Sequence, residues 1–193
     1  EIRDGAVEES ERAESDDVGL RVLVGRKQAV VSTNDIAGVS PADLAARAVA
    51  MARAAPEDRF AGLADPERLA RVIPDLDLLD PNLPDVNTLE TMARTAEQAG
   101  LAVKGVSKSG GASASAGIGG MVLMTSDGFH GAYLGSRYGV SMTAIAGQGT
   151  GMERDYDYSS AAHRADLDAP EKLGRSAGER AVEKPTRRTD ERL

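Results

Sequence analysis

Apolar positions fall into two regimes along the chain. Val18–Val24 and Gln28–Ser32 are rich in β-branched residues and are separated by Gly25-Arg26-Lys27, a pattern that predicts a β-hairpin. The acidic stretch before them, Ala6–Glu14, alternates poorly and is expected as an edge strand whose charges block unwanted pairing. Ser40-Pro41-Ala42-Asp43 then opens a helix: Ser40 to cap free N–H groups, Pro41 at the first helical position, Asp43 at the positive end. Leu44, Ala48, Met51, Ala52 and Ala55 make its apolar face, and Pro56 ends it. The Pro- and Asp-rich Ala64–Pro84 reads as a crossing loop. A second helix is expected over Asn87–Gln98, with Asn87 and Glu90 as a capping box and Gly100 as the stop.

From Leu101 to Tyr158 the period changes to two. Met121–Met124, His130–Leu134, Val140–Ile145 and Glu153–Tyr158 read as successive antiparallel strands with Gly-containing turns between them. The Ser/Gly/Ala tract Ser107–Gly120 has linker composition. Its period still places Ala112, Ala114, Ala116 and Ile118 on one face and Ser113, Ser115 and Gly117 on the other, which favours a strand crowded by another element. A last helix is expected from Pro170 to Val182, with Asp168 as its cap. The fold class is α+β: antiparallel sheet with about three helices.

Composition sharpens this picture. The 193 residues suffice to bury a real core, roughly 70% of the unfolded surface. Aromatics are 3% with no Trp, so that core is built from Ala, Val, Leu, Ile and Met. The formal charge is −8, and Glu1–Asp17 alone carries eight acidic and two basic residues. Such a chain repels phosphate backbones, and direct nucleic-acid binding is not expected. With no Cys there is neither a disulfide framework nor thiolate chemistry, which fits a reducing, cytoplasmic setting. No apolar run approaches the roughly 18 residues of a membrane span.

Candidate chemistry is sparse. His130 and His163 are the only histidines, neither is followed by Glu, and a zinc site needs three or four N, S or O ligands. Glu153, Asp155 and Asp157 alternate with Arg154, Tyr156 and Tyr158, so in a strand the three carboxylates share one face, about 6.7 Å from one to the next. That face is either a cation site or anchor for a basic partner, or a solvated surface with Tyr turned inward. Asp155–Asp166 mimics part of a calcium loop, but Ser160 stands where Gly is needed and Asp166 where the bidentate Glu belongs. With these four side chains, Glu153, Asp155, Asp157 and His163, as the only metal candidates, no metal, cofactor or catalytic residue is expected in this chain. Gly147–Gly151 lacks the Lys and spacing of a P-loop and reads as a hairpin turn. Gly110–Ala114 lacks the last glycine of a nucleophile elbow.

Several runs resemble one family. GLRVLVG (Gly19–Gly25), VSTND (Val31–Asp35), AMARAAPEDRFAGLAD (Ala50–Asp65), the Ser107–Gly120 tract and above all MERDYDY (Met152–Tyr158) resemble the PmbA/TldD family, and its PmbA (TldE) branch in particular. The likeness runs from about Val7 to Val182. It implies an amino-terminal α+β domain over 1–184, a divergent tail over 185–193, and absence of the family's β-rich carboxy-terminal domain. It further implies a non-catalytic partner, in the cytoplasm, of a TldD-like zinc protease that acts on peptides or unfolded proteins, with zinc held only by that partner. The chain would pair with that subunit or with itself, and an exposed strand edge would hold an extended peptide by β-addition. The His-Glu-x-x-x-His motif of the TldD branch is not in this sequence. Two other readings stay open: a metallopeptidase with an unrecognised site drawn from His130, His163 and the Glu153/Asp155/Asp157 cluster, and an inactive fragment.

Overall fold

The computed structural model describes residues 1–190, with side chains to Lys184. In chain order its main elements are β1 (Ile2–Arg3), β2 (Ala6–Val7), β3 (Val18–Val24), β4 (Lys27–Thr33), α1 (Pro41–Ala54), α2 (Val86–Leu101), β5 (Val106–Met124), β6 (His130–Ala146), β7 (Glu153–Ala161) and α3 (Pro170–Asp190). The fold is α+β with antiparallel sheets. It divides into two units: Glu1–Ser10 with Ile73–Met124 and the chain from His130 on, and Glu11–Val72 with Thr125–Phe129. Of the tail 185–193, residues 191–193 lie outside the described residues.

In the unit that begins at Glu11, β3 and β4 pair from Val18↔Thr33 to Val24↔Lys27, which leaves a two-residue turn. The hairpin packs on α1 through Val31, Leu44 and Ala48, with Leu20, Val22 and Val39 beside them. Pro41 starts α1 as expected, and the helix gives way at Ala55, before Pro56. Two expectations fail here. Ser40 occupies the N-cap position without a side-chain hydrogen bond, and Met51 is half exposed because the hairpin covers only the Leu44/Ala48/Ala52 stripe.

The other unit is a five-stranded sheet in the order β2-β1-β5-β6-β7. One face is covered by α2 and α3. Ala112 from β5 and Val140, Met142, Ala144 and Ala146 from β6 meet Ala93 and Ala96 of α2 and Leu173, Ala177 and Ala181 of α3. Ile2 closes the cluster from β1. The acidic edge strand is far shorter than the expected Ala6–Glu14: only Ala6–Val7 pairs, and Glu8–Asp17 has no regular structure.

Small residues set the spacing. Gly100 does not end α2; it lies buried within it. A Cβ on Gly100 would stand 3.0 Å from Gly174 O of α3, and one on Gly178 would stand 2.9 Å from Gly100 O. The two helices therefore touch backbone to backbone. Their caps also differ from expectation. Asp85, not Asn87, accepts the Thr88 N–H at 2.8 Å, and Glu90 pairs with Arg94. Ala169 precedes α3, while Asp168 accepts from Lys172 Nζ at 2.6 Å. The expected helix of Pro170–Val182 continues to Asp190.

The Ser/Gly/Ala tract is a strand, as its period predicts. It runs on through Met121–Met124 as one 19-residue β5. Likewise His130–Leu134 and Val140–Ile145 merge into the 17-residue β6. The glycines between them weaken strand propensity, but the β5–β6 ladder is continuous from Gly111↔Thr143 to Met124↔His130 and carries both strands across. Ala112 is buried, whereas Ile118 is 44% exposed, because the helices cover only the proximal part of the ladder. No helix among the described residues is long and apolar enough to cross a membrane.

Candidate functional site

The three acidic residues of β7 do share a face, but it is the inner one. β7 pairs with β6 as Ala146↔Glu153, Ala144↔Asp155 and Met142↔Asp157, so the carboxylates lie beside the buried positions of β6. The reading of a solvated acidic face with Tyr inside is inverted. Tyr156 and Tyr158 are exposed on the opposite face, stacked with centroids 6.3 Å apart. The reason lies in α3, which presents two cations one turn apart. Arg180 Nε sits 3.8 Å from Asp155 Oδ1 and Arg180 Nη1 3.7 Å from Asp157 Oδ1. Lys184 Nζ lies 2.9 Å from Asp155 Oδ2 and donates to Arg154 O at 2.8 Å. Burial pushes the Asp155 carboxyl up, but the Lys184 ammonium, the Tyr156 N–H and Arg180 outweigh it and hold it below its ordinary 3.8. The cluster is therefore a strand-to-helix ion-pair row. The Asp155–Asp166 run spans β7 and a short 3-10 helix, Arg164–Asp166, rather than a cation-binding loop.

His163 lies past the end of β7 and serves another contact. Its Nε2 is 2.7 Å from Asp77 O and 3.4 Å from Asp77 Oδ1. Asp77 takes a left-handed φ of 50°, which Asp tolerates better than most residues. The bond to the Asp77 carbonyl raises the His163 pKa above 6.5; burial opposes this, while Asp77, Asp80 and Asp166 add to it. His130 sits at the distal end of the β5–β6 ladder, paired with Met124 and exposed. The two histidines thus lie at different features, and the ion-pair partners of Asp155 and Asp157 are Arg180 and Lys184. Among the described residues no group of three or more His, Asp or Glu side chains gathers as a metal ion would require.

Sequence reasoning missed the residue that organises this end of the sheet. Ser136 of β6 is buried. Its N–H donates to Leu78 O at 2.8 Å, its hydroxyl donates to Ala162 O at 2.7 Å, and the same oxygen accepts the Asp80 N–H at 2.7 Å. Tyr138, two residues on, directs its hydroxyl to Asp80 O at 3.3 Å and Asn82 O at 3.4 Å, and burial pushes its pKa up. The Asn82 N–H holds the Asp80 carboxyl below its usual range; burial opposes this and the Arg164 N–H reinforces it. Together these bonds lay the irregular segment 73–82 along the edge of β6 beyond the end of β7. The result is an open groove of about 810 Å³ lined by Ile73, Leu76, Leu78, Tyr133 and Leu134, with Asp75 and Asp77 at its rim. A lone Ser or Tyr in such a network has no sequence signature, because its partners in the segment 78–82 lie over fifty residues away.

Similarity to known proteins matches this architecture. Residues 79–184 match the PmbA/TldA metallopeptidase central domain, and residues 1–52 match domain 1 of the same family. The metalloprotease PmbA of Escherichia coli is 32% identical over 181 residues, which are 93% of this chain and 40% of that protein. The PmbA homologue of Haemophilus influenzae is 31% identical over 166 residues, 86% of this chain and 37% of that protein. The chain thus spans about two fifths of the length of these curated relatives. Among solved structures, a proposed modulator of DNA gyrase from Bacteroides thetaiotaomicron superposes with a TM-score of 0.76 at 24% identity, covering 86% of this chain and 39% of its own. TldE from Thermococcus kodakarensis superposes with a TM-score of 0.61 at 14% identity, over 86% of this chain and 36% of its own. Both share the fold. On the strength of the central-domain match and the two PmbA relatives, this chain belongs to the PmbA/TldD metallopeptidase family.

Proposed function

We propose that this chain is the amino-terminal part of a non-catalytic, PmbA-type subunit that assembles with a TldD-like zinc metalloprotease in the cytoplasm and helps admit peptides or unfolded proteins. The observation that carries this reading is how its metal-capable side chains are used. Asp155 and Asp157 are bound to Arg180 and Lys184, and His163 is bound to Asp77, all as supports of the fold. Zinc would reside in the partner subunit, whose ligands this chain does not supply. The role here is structural: to help enclose the protease cavity and to offer apolar surface, such as the groove at Tyr133 and Leu134, to an extended polypeptide. A net charge of −8 argues against the alternative of direct binding to DNA.

The test is reconstitution. Purified alone and dialysed, the chain should hold no stoichiometric zinc and leave unfolded casein intact. Mixed with a TldD-like subunit, it should co-migrate with it and raise the cleavage rate. About one zinc per chain at sub-micromolar affinity, with casein hydrolysis lost in Glu153→Gln or His163→Ala, would instead make the chain itself the metallopeptidase.

A further inference from the structure

Beyond the end of β7, β6 keeps an open edge. β7 pairs with β6 from Ala146 back to Tyr138, so no strand among the described residues flanks 131–137 on that side. The irregular segment 73–82 reaches this edge at Ser136, whose N–H donates to Leu78 O at 2.8 Å. That bond reveals which residues face outward. Along an antiparallel pair, residues alternate between turning their N–H and C=O toward the neighbour and away from it. Ser136, opposite Ile118, turns them away from β5, and so do Leu134, opposite Gly120, and Ala132, opposite Val122. Among the described residues no backbone hydrogen bond joins 73–77 to Leu134 or Ala132. Their donors and acceptors therefore open on the groove between this edge and Ile73–Leu78.

The groove has a side-chain pattern as well. Tyr133 and Leu134 point to opposite faces of β6 and are 54% and 58% exposed, so each face of the edge offers one apolar side chain. Ile73 and Leu76 line the groove from the irregular segment. Of the lining residues only Asp75 and Asp77 are charged, and both are acidic. Asp75 accepts the Asp77 N–H at 3.0 Å, and the Asp77 side chain is 87% exposed beside His163.

We infer that this edge takes a cationic polypeptide segment as an added strand: two successive apolar residues between basic ones. The residue opposite Leu134 exchanges backbone hydrogen bonds with it and shares its face, while the next residue shares the face of Tyr133. One apolar side chain on each face matches that pair, and the carboxylates of Asp75 and Asp77 complement the flanking cations and repel an acidic segment. This inference rests on the reading of a substrate-admitting subunit and names the segment admitted.

The test is binding of a fluorescein-labelled hexapeptide, Lys-Arg-Val-Leu-Arg-Lys, to the full chain without zinc or a TldD-like subunit, read by anisotropy. The dissociation constant should lie below ~100 μM and rise with salt. Replacing the four basic residues by Glu, or the two apolar residues by Ser, should weaken binding at least ~10-fold. N-methylation of one of the two central amides should do the same, and of the other should have no effect, because an added strand turns every second N–H to the edge. In the chain, Ala132→Pro removes an N–H that serves no strand and should weaken binding about fivefold. Asp75→Asn keeps an oxygen for the Asp77 N–H and should weaken it about threefold. Both variants should keep the wild-type circular dichroism spectrum. On the unmodified chain, the peptide should slow amide exchange at Ala132 and Leu134. A peptide that protects Glu1–Asp17 instead, that tolerates both methylations, or that binds no better than its Ser form would overturn the inference. If it fails while the chain still raises casein cleavage on reconstitution, the groove is not the entry point and the subunit reading stands; peptide binding without that rise would sink the subunit reading instead.

Discussion

Gly100 of α2 meets Gly174 of α3 where the two helices cross: a Cβ on Gly100 would stand 3.0 Å from the Gly174 carbonyl oxygen. A Cβ on Gly174 would collide with Ala96 O, which is backbone and cannot swing aside. Replacing a helical Gly by Ala ordinarily gains about 1 kcal/mol of propensity. Here the collision outweighs it, and Gly174→Ala should destabilise the chain by about 3 kcal/mol, the upper end of overpacking costs. Gly117→Ala, where a Cβ meets nothing within 4 Å, should stay within about 0.5 kcal/mol of wild type. Urea denaturation of the two variants tests the contrast.

Glu97 should behave as a latch for the first hairpin. It is 1% exposed, and its two carboxylate oxygens accept the N–H groups of Asp4 and Gly5 at 2.8 and 2.9 Å. Those residues form the β1–β2 turn with φ of 51° and 73°. Glu97→Ala leaves both donors without that acceptor and should cost about 2–3 kcal/mol. Amide exchange at Asp4 and Gly5 should accelerate well before exchange in α1.

Acid should weaken the strand-to-helix ion-pair row. The Asp155 pKa is lowered in the folded state, so its stabilisation is complete above the ordinary 3.8 and is lost as pH falls through the folded value. Lys184→Met should cost about 1 kcal/mol at neutral pH, and less as pH falls below the ordinary 3.8. Thermal melts of both chains across that range decide it.

His163 gives the opposite sign. Its folded pKa is raised, so its contribution is complete below the ordinary 6.5 and disappears as pH rises through the folded value. The charged groups around it are Asp77, Asp80 and Asp166, with Arg164 adjacent. Protection of the amides in 73–80 should fall as pH rises above the ordinary 6.5. His163→Gln should abolish that pH dependence while leaving exchange in β3 and β4 unchanged.

What the sequence made legible was what neighbours in sequence decide. The hairpin of β3 and β4 follows from β-branched runs around Gly25, and α1 from Pro41 and Pro56. The alternation in Ser113–Ile118 outweighs its linker composition. What stayed hidden depended on distant partners. Gly100 has the signature of a helix stop, and only Gly174 and Gly178 reveal it as a crossing point. Tyr156 and Tyr158 belong inside by hydrophobicity, yet Arg180 and Lys184 draw the acidic residues inward in their place. Ser136 and Glu97 leave no pattern at all, since one hydroxyl and one carboxylate organise segments more than fifty residues away.

The pairing of Ile2 with Ala112 has a consequence for how the chain is made. A ribosome delivers Ile2 about 110 residues before its strand partner exists. Through that interval β1 has no sheet to join, whereas the hairpin of β3 and β4 with α1 is complete in sequence by Ala54 and can fold while synthesis continues. Residues around Ile2 are therefore among the last to reach their native place, and an apolar Ile2 travels in the open until the β5–β6 ladder arrives to receive it. β1 and β2 are two residues each and lie among charges, features that discourage a waiting edge from pairing with another chain.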